Sequence, residues 1–346
     1  MNSLGKQRRW VVARIPEGDV SASDFRLEAV SVPTPAPGQA LVRNLMLSID
    51  PANRAWIKAS TYQQQLKSGD PIPGFGLGEV LRSESKLLKP GDLVEGRLGW
   101  QEFALVDGSE VRVRDRRIPL ETLVSVLGNS GLTAYYGLVD IGGLRPGETV
   151  VVSASAGSVG SIAAQIAKLA GCRVVGIAGG AAKCEWLTRT LGLDAAVNYK
   201  SASFEQEMKA AVPEGVDLFF DNTGGPIFDL LFSLMNVDGR IACCGSIAQY
   251  AAANPLATAR HVPTLVVGKR IKILGFLLSD IAPRDRERAE RFLLRWATDG
   301  RLRVATHIAQ GIECLPEQLM GLLAGDNIGK VAVRLAEPAQ AERARD

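Results

Sequence analysis

One stretch of this 346-residue chain has an apolar strand, a small turn and a helix in the order that nucleotide-binding folds use. It begins at Val150 and reads VVVSASAGSVGSIAAQIAKLAG. The dinucleotide fingerprint has G-x-G-x-x-G at such a turn, whereas Ala154, Gly157 and Gly160 here give A-x-x-G-x-x-G. The glycines allow the backbone to approach a pyrophosphate, and the start of the helix offers free N–H groups. We predict a phosphate-binding turn whose alanine keeps to dihedrals that an L-residue tolerates; the alternative is a glycine-rich turn with no ligand.

The residues after the second predicted strand decide which dinucleotide would bind. An NAD site places an Asp or Glu about twenty residues beyond the motif, where it accepts a hydrogen bond from the ribose 2′-hydroxyl. This chain has Gly179 and Gly180 there, followed by Lys183. The lysine supplies a cation for a 2′-phosphate, and Tyr199, at the end of the third strand, could donate its hydroxyl to the same group. The pattern favours NADP(H); the alternative is a surface lysine and a half-buried tyrosine.

Small and polar residues also follow the later strands. Asn222 ends one strand, and Gly245, Ser246 and Tyr250 follow the next. Ligands of open α/β sheets lie beyond the carboxyl ends of the strands. We therefore expect these loops to meet the ribose and the nicotinamide.

The chain has two regions with different patterns of predicted secondary structure. Residues 1 to about 125 contain short β-like runs between Gly and Pro turns, which is typical of an irregular, mostly antiparallel β domain. From Val150 onward, apolar strands alternate with helices, which favours a parallel sheet covered on both faces. The predicted strands are Thr149–Ala154, Arg173–Ala178, Ala195–Tyr199, Asp217–Asp221, Arg240–Cys244 and Arg270–Phe276, with helices over 158–170, 183–191, 203–211, 226–236 and 284–298. The predicted fold class is α/β, a Rossmann-type doubly wound parallel sheet with a second, mainly antiparallel β domain.

Composition excludes several classes of function. Forty basic and thirty-seven acidic side chains give a net charge of +3, and the densest charged stretch, Pro283 to Trp296, mixes both signs. Such a stretch indicates a solvated helix face rather than a nucleic-acid surface. The first residues lack the apolar core of a signal peptide, and no run approaches the ~18 apolar residues of a membrane span. We expect a cytoplasmic protein with no nucleic-acid or membrane partner.

The cysteines and histidines do not have the spacing of a metal site. Cysteines lie at 172, 184, 243, 244 and 314 with no C-x-x-C pair, and the histidines are His261 and His307. Zinc needs three or four such ligands, usually including a closely spaced pair, so we predict no metal. The vicinal Cys243 and Cys244 fit the end of a buried strand better than a redox pair. A serine hydrolase is disfavoured because no G-x-S-x-G elbow is present.

Four stretches of the sequence, one of which contains the predicted phosphate turn, resemble a known protein family. They are GLTAYYGLVDIGGLRPGETVVVSASAGSVGSIAAQIAKLAGCRVVGIAGG, DNTGG, GDLVEGRLGWQEF and DNIGKVAVRL. With these motifs the chain resembles the zinc-independent medium-chain dehydrogenases/reductases, in the branch of prostaglandin/leukotriene, alkenal double-bond and curcumin reductases. The resemblance implies a GroES-like domain over 1–128, completed by 303–346, and an NADP-binding Rossmann domain over 129–302, with the active site between them. Zinc members carry Gly-His-Glu where this chain reads GFGLGE from Gly74 to Glu79, which agrees with the absence of a metal set.

The resemblance also assigns cofactor contacts by motif. It implies pyrophosphate contacts at Gly157, Ser158, Val159, Gly160 and Ser161. It implies a 2′-phosphate site at Gly179, Lys183 and Tyr199, and an adenosine-side ribose contact at Asn222. It implies that the nicotinamide half is lined by Cys244, Gly245, Ser246, Ile247, Tyr250, Phe276, Leu277 and Leu278, with Asn327 reaching the cofactor from the returning tail.

The reaction of the family is reduction of a carbon–carbon double bond conjugated to a carbonyl. NADPH supplies a hydride to the β-carbon, and a proton then reaches the α-carbon. Tyr250 is our candidate for the protein acid or enolate donor, because a phenol stays protonated at neutral pH; the alternative is a tyrosine that only packs beside the nicotinamide. The ribose 2′-hydroxyl is another candidate donor for the enolate oxygen.

Two departures from the family bear on the substrate pocket. Ala52 stands where mammalian and plant members have tyrosine, and Gly268 stands where they often have another. We expect a roomier, less polar pocket, with Arg54 and Tyr62 as further candidate lining residues, that accepts a bulky or aromatic enone or enal. A quinone reductase of the same superfamily and a non-catalytic NADPH-binding sensor are the alternatives. The resemblance also implies a homodimer.

Overall fold

The computed structural model describes residues 5–58, 64–249 and 262–338. Its strands are β1 (Lys6–Val12), β2 (Phe25–Ser31), β3 (Gln39–Ser48), β4 (Phe75–Ser83), β5 (Leu93–Arg97), β6 (Phe103–Asp107), β7 (Arg112–Arg114), β8 (Thr149–Val152), β9 (Arg173–Ala178), β10 (Ala195–Asn198), β11 (Val216–Asp221), β12 (Met235–Cys243), β13 (Lys272–Gly275), β14 (Thr306–Gln310) and β15 (Lys330–Arg334). Its helices are α1 (Ala52–Lys58), α2 (Leu120–Val124), α3 (Asn129–Tyr135), α4 (Ser158–Leu169), α5 (Ala181–Glu185), α6 (Phe204–Ala211), α7 (Gly225–Leu234), α8 (Val262–Lys269), α9 (Pro283–Thr298) and α10 (Leu315–Ala324). Helices α3 and α5 continue as π-helical turns over Tyr136–Ile141 and Trp186–Thr190.

Contacts between Cα atoms divide the chain into two compact units. One contains residues 125–306 and 327–330, and the other contains residues 1–124, 307–326 and 331–346. The short segment 327–330 therefore belongs to the first of these units, although the residues on both sides of it belong to the second.

The unit of residues 125–306 is built on a parallel sheet in the order β10-β9-β8-β11-β12-β13. Its central strands are fully buried, for example Val150, Val175 and Phe219, because helices cover both faces and leave no polar side to the sheet. The strand order reverses between β8 and β11, which is the switch point where doubly wound folds bind their ligands.

The other unit is an antiparallel sheet in the order β14-β15-β3-β4-β5-β7, with β6 also paired to β3 and β1 paired to β2. Strand β4 packs closely on β3, and a Cβ atom added to Gly78 would lie 2.3 Å from a methyl group of Val42. Glu79 beside it is buried and binds Arg43 at 3.0 Å and Arg116 at 2.9 Å. The segment GFGLGE is therefore part of a closely packed strand, and the charge of Glu79 is balanced by the two arginines.

The predicted fold class is confirmed. Strand β9 has the bounds predicted for it, and α4 ends one residue before the predicted 170. Strand β12 begins at Met235 instead of Arg240, because Met235 pairs with Val216 of β11 before a register shift, and the continuous pairing with β11 begins at Arg240. In the described ranges, no helix has both the length and the apolar character needed to cross a membrane.

Candidate dinucleotide site

The predicted phosphate turn connects β8 to α4. Gly157 precedes the helix in an extended conformation (φ −83°, ψ 179°), and Ser161 donates the first intrahelical hydrogen bond, to the Gly157 carbonyl at 3.0 Å. The amides of Ser158, Val159 and Gly160 therefore lie in the first turn, where a helix has no acceptor of its own for them. The hydroxyl of Ser158 is buried and has no hydrogen-bond partner among the described residues. A phosphate oxygen would satisfy it, so these residues fit a dinucleotide pyrophosphate.

The turn and the helix meet without room for a side chain at residue 160. A Cβ atom on Gly160 would lie 2.3 Å from the carbonyl oxygen of Ala154 and 2.9 Å from the Cα of Ser155. Both neighbours are backbone atoms, so they cannot rotate away. Glycine at 160 is therefore required for the helix to approach the turn this closely.

The expectation for Ala154 was wrong. Its φ is +49°, in the left-handed region that favours glycine, instead of an ordinary extended or helical value. Alanine therefore keeps the backbone path of the glycine it replaces, at a conformational cost of about 1 kcal/mol. The reason is the close contact at Gly160, since the carbonyl of Ala154 must point toward the helix.

The returning segment 327–330 pairs with this turn. Gly329 forms a parallel bridge to Gly157 and donates its N–H to the carbonyl of Ala156 at 2.8 Å. Asn327 donates its side-chain amide to the carbonyl of Gly329 at 2.8 Å. The structure thus brings Asn327 to the phosphate turn, and its direct contact with a cofactor stays a prediction.

The second strand end forms a cluster of basic and aromatic side chains. A Cβ atom on Gly179 would lie 2.9 Å from the ring of Tyr199, so this ring, 45% exposed, covers the glycine. Lys183 lies in α5, which starts two residues after Gly179. The ammonium group of Lys200 lies 6.0 Å from the centre of the Tyr199 ring. The sequence reasoning missed Lys200, although it directly follows Tyr199.

Asn198 holds this cluster together. Its Oδ1 accepts hydrogen bonds from the backbone N–H of Gly180 at 2.8 Å and of Lys200 at 3.1 Å. The ends of β9 and β10 are therefore tied by one side chain. Glycines stand where an NAD site would have its acid, and the cations nearby suit a dianionic phosphate.

The ends of β8 and β11 are joined by buried polar side chains. Ser153 donates its hydroxyl to Oδ1 of Asp221 at 2.8 Å and accepts the backbone N–H of Asn222 at 2.8 Å. The side-chain amide of Asn222, predicted at the ribose, donates to the carbonyl of Ser153 at 2.7 Å. This amide therefore fixes the sheet edge.

The loop after β12 is anchored to the same place. The backbone N–H groups of Cys244 and Gly245 donate to the carbonyl of Asp221 at 2.8 and 3.2 Å. Burial, with a smaller contribution from the charge of Asp221, raises the pKa of Cys243 to about 11 and that of Cys244 to about 12. Both thiols are free and stay protonated at neutral pH, which does not suit a reactive redox pair. Ser246 and Ile247 continue the loop into a 3₁₀ turn, Ile247–Gln249.

The ring of Phe276 is half-buried beside other aromatic side chains. This ring lies 5.8 Å from that of Tyr136 and 6.4 Å from that of Phe220, and it fills the space where a Cβ on Gly137 would be, at 2.2 Å. The contact of Phe276 with the nicotinamide half stays a prediction. Leu277 is exposed, and Leu278 opens a 3₁₀ turn.

The candidate pocket residues are only partly described. Ala52 begins α1, and Arg54 in the same helix is 7% exposed. The guanidinium of Arg54 binds Asp19 at 3.0 Å and the carbonyl of Gly18 at 3.4 Å, which ties α1 to that loop. Tyr62 and the catalytic candidate Tyr250 lie outside the described residues.

The part of the chain that the structure describes contains no group of three or more His, Cys, Asp or Glu placed to hold a metal ion. The donor set there does not fit a zinc centre, and we derive no step through a metal.

Comparison with known proteins agrees with this geometry. The family model described as N-terminal domain of oxidoreductase matches residues 8–113, and the one described as zinc-binding dehydrogenase matches residues 158–297. The chain is 36% identical over 336 residues to the NADPH-dependent curcumin reductase of Escherichia coli (strain K12), covering 96% of this chain and 97% of that protein. It is 37% identical over 332 residues to prostaglandin reductase 1 of Bos taurus, covering 94% and 98%.

A solved structure has the same fold. CurA from Vibrio vulnificus in complex with NADPH matches with a TM-score of 0.91 and 35% identity, over 96% of this chain and 100% of that chain. Both family models describe domains of oxidoreductases and dehydrogenases. The chain belongs to the zinc-independent branch of the medium-chain dehydrogenase/reductase family that contains curcumin, prostaglandin and 2-alkenal reductases.

The close contact at Gly160 leads to a first prediction. Gly160→Ala should lower the free energy of unfolding by about 1–3 kcal/mol and weaken dinucleotide binding, because the new methyl group would displace α4 from backbone atoms. Gly157→Ala is the matched control, since its Cβ would meet only the Ala154 carbonyl oxygen, at 3.2 Å. Thermal unfolding and calorimetric titration with NADPH measure both effects. Equal, small effects of the two substitutions would contradict the predicted packing.

Proposed function

We propose that the protein is an NADPH-dependent, zinc-independent reductase of the carbon–carbon double bond in α,β-unsaturated ketones and aldehydes. The observation that carries the proposal is the phosphate turn beside a second strand end with glycines in place of the acid and with two lysines and a tyrosine nearby. The relatives named above reduce curcumin and prostaglandins. Curcumin carries a double bond conjugated to a carbonyl, which is the substrate class that we propose here.

Each end of the cofactor site has its own role. The first-turn amides and the hydroxyl of Ser158 bind the pyrophosphate at the positive end of α4. Lys183 and Tyr199 bind the 2′-phosphate and so discriminate NADPH from NADH. The loop from Cys244 to Ile247, anchored on Asp221, holds the nicotinamide half. When bound, NADPH supplies the hydride for the reaction.

The remaining task of the protein is to stabilise negative charge on the substrate carbonyl and to deliver a proton. Tyr250 is the proposed donor, because a phenol is protonated at neutral pH and can donate a hydrogen bond to the enolate oxygen. A hydrogen-bond donor at such an oxygen lowers the activation free energy by on the order of 3 kcal/mol. Ala52 and Tyr62 are the proposed pocket-lining residues, whereas the contacts of Arg54 support a structural role.

The assignment of the 2′-phosphate gives a second prediction. Lys183→Ala should raise the KM for NADPH about 10- to 100-fold and leave the KM for NADH nearly unchanged, because one charge-assisted hydrogen bond to the phosphate is lost. Lys209→Ala is the control, since Lys209 is bound to Glu205 on the surface of α6. Steady-state kinetics with both cofactors measure the effect. Equal changes for NADPH and NADH would refute the phosphate assignment.

The proposed chemistry gives a third prediction. NADPH absorbance at 340 nm should fall in the presence of conjugated enones and enals, and should stay constant with saturated aldehydes and alcohols. Tyr250→Phe should lower kcat about 10²-fold or more with little change in the KM for NADPH. Turnover of quinones alone would make the protein a quinone reductase. Undiminished turnover of the variant on every substrate would remove Tyr250 from the mechanism.

We also propose that two copies of the chain associate through the β13 edge. Among the described strands, β13 ends the parallel sheet, and an open edge exposes backbone groups that can pair with another strand. Ile273 on the edge is 42% exposed, and Val267 on the neighbouring α8 is 77% exposed. Exposed apolar side chains beside an open edge suit an interface, and the partner that fits it is a second, identical edge.

The edge pairing gives a fourth prediction. The wild-type protein should sediment as a dimer, and the double substitution Ile273→Lys and Val267→Lys should sediment as a monomer, because the lysines place like charges at the interface. Val113→Lys is the control, because Val113 is an exposed apolar residue on β7 of the other unit. A monomeric wild type, or a double variant that stays dimeric, would contradict the edge pairing.

A further inference from the structure

Asp221 is a buried carboxylate at the switch point of the sheet. It is 2% exposed and lies at the carboxyl end of β11. Its Oδ1 accepts hydrogen bonds from the hydroxyl of Ser153 at 2.8 Å, from the N–H and hydroxyl of Thr223 at 2.9 and 3.1 Å, and from the N–H of Gly224 at 3.1 Å. Among the described residues, the donor to its Oδ2 is the same Gly224 N–H, at 3.0 Å.

Within the described part of the chain, the charge of Asp221 has no cation to balance it. Among residues 5–58, 64–249 and 262–338, no lysine, arginine or histidine forms an ion pair with this carboxylate. Burying a charge without a counter-ion costs free energy, even where hydrogen bonds compensate part of it. An asparagine could accept the bonds from Ser153 and Thr223 through one oxygen without that cost. The hydrogen bonds therefore explain why an oxygen is needed at this position and do not explain the charge.

The negative potential of Asp221 reaches the loop after β12. The carbonyl of Asp221 holds the N–H groups of Cys244 and Gly245, and the loop continues to Ala248, whose N–H donates to the carbonyl of Thr223 at 3.0 Å. The carboxylate raises the pKa of the thiols of Cys243 and Cys244, after the larger effect of burial. The same loop is the one to which we assign the nicotinamide half.

We propose that Asp221 selects the redox state of the bound cofactor, because its uncompensated charge stabilises the cationic, oxidised nicotinamide over the neutral, reduced one. The inference rests on the proposed function, since it takes the loop after β12 to hold the nicotinamide. The oxidised ring carries one positive charge more than the reduced ring, so a fixed negative charge in a low-dielectric surrounding acts on that difference alone. The carboxylate thereby makes NADP⁺ bind more tightly relative to NADPH.

Asp221→Asn isolates the charge from the hydrogen bonds. An asparagine with its oxygen in the place of Oδ1 keeps the hydrogen bonds from Ser153 and Thr223, and its amide nitrogen replaces the Oδ2 that shares the Gly224 N–H. Asp217→Asn is the matched control, because Asp217 lies on the same strand at its other end, where it binds the N–H of Thr149 and the amide of Asn236. Four residues of extended strand separate the two carboxylates by about 13 Å.

The test is the ratio of the dissociation constants of NADP⁺ and NADPH, measured by calorimetric titration on the full-length protein. Asp221→Asn should raise that ratio on the order of five- to tenfold relative to wild type, through weaker binding of NADP⁺, and Asp217→Asn should leave it unchanged. An unchanged ratio in Asp221→Asn, with both forms still bound, would overturn the inference and leave the proposed function standing. A wild-type protein that binds neither form would overturn the proposed function itself.

A second readout needs no cofactor. Alkylation of Cys243 and Cys244 by iodoacetamide at pH 9, followed residue by residue with mass spectrometry, should be several-fold faster in Asp221→Asn than in wild type, because the thiolates lose a nearby negative charge. Cys172 and Cys314 report unfolding, since they should react at the wild-type rate in a folded variant. Equal rates at Cys243 and Cys244 in folded wild type and variant would show that the charge does not reach the loop.

A variant on the loop covers the case in which Asp221→Asn does not fold. Ala248→Lys places a cation on an exposed position beside Thr223 and leaves Asp221 in place. It should raise the same ratio of dissociation constants in the same direction, because its charge opposes that of Asp221. An unchanged or lowered ratio in this variant would overturn the inference.

Discussion

The carbonyl oxygen of Ala154 occupies the space that a side chain at residue 160 would need, and the dinucleotide site depends on this contact. It allows α4 to begin close to the end of β8, with the first-turn amides and the buried hydroxyl of Ser158 at the start of the helix. It also explains the left-handed backbone at Ala154, which turns the carbonyl toward the helix. The segment 327–330 then pairs with the outer side of the turn through Gly329. Each of these features would shift if the helix moved away.

The two ends of the proposed cofactor site have opposite electrostatic character. The strand ends of β9 and β10 bring Lys200 beside Tyr199, with Lys183 on the helix that follows β9, and no acidic residue occupies the place of the usual ribose ligand. The ends of β8 and β11 instead bury Asp221 without a cation among the described residues. NADP⁺ has the complementary arrangement, with a phosphate dianion at one end and a cationic ring at the other. A single parallel sheet positions both charges because the carboxyl ends of its strands lie at one edge.

Much of the fold could be predicted from the sequence, because strand and helix periods are local signals. The bounds of β9 follow from a run of β-branched residues, and the start of α4 follows from Gly157. The dihedral of Ala154 could not be predicted, since it is imposed by the packing of a helix six residues away. The early start of β12 was not visible in the sequence, because it depends on a pairing of Met235 with Val216 that is separated by a register shift from the continuous pairing that begins at Arg240.

Part of the candidate site could be predicted from the sequence, and part of it depends on contacts between distant residues. The glycine turn and Lys183 are visible in the sequence because their spacing is fixed by local geometry. The network around Asp221 is not, since Ser153 and Asp221 are 68 residues apart and meet only through the order of strands in the sheet. The packing of the Phe276 ring against Gly137 is likewise not visible in the sequence, because the two residues are 139 positions apart.

The most direct measurement of 2′-phosphate recognition uses adenosine fragments that contain neither the nicotinamide nor the pyrophosphate. Calorimetric titration of the wild-type protein with 2′,5′-ADP and with 5′-AMP compares two ligands that differ only in the 2′-phosphate. If the cations at the ends of β9 and β10 bind that group, 2′,5′-ADP binds at least about tenfold more tightly, and the difference shrinks as salt is added. Equal affinities for the two fragments would contradict NADPH recognition at this strand end.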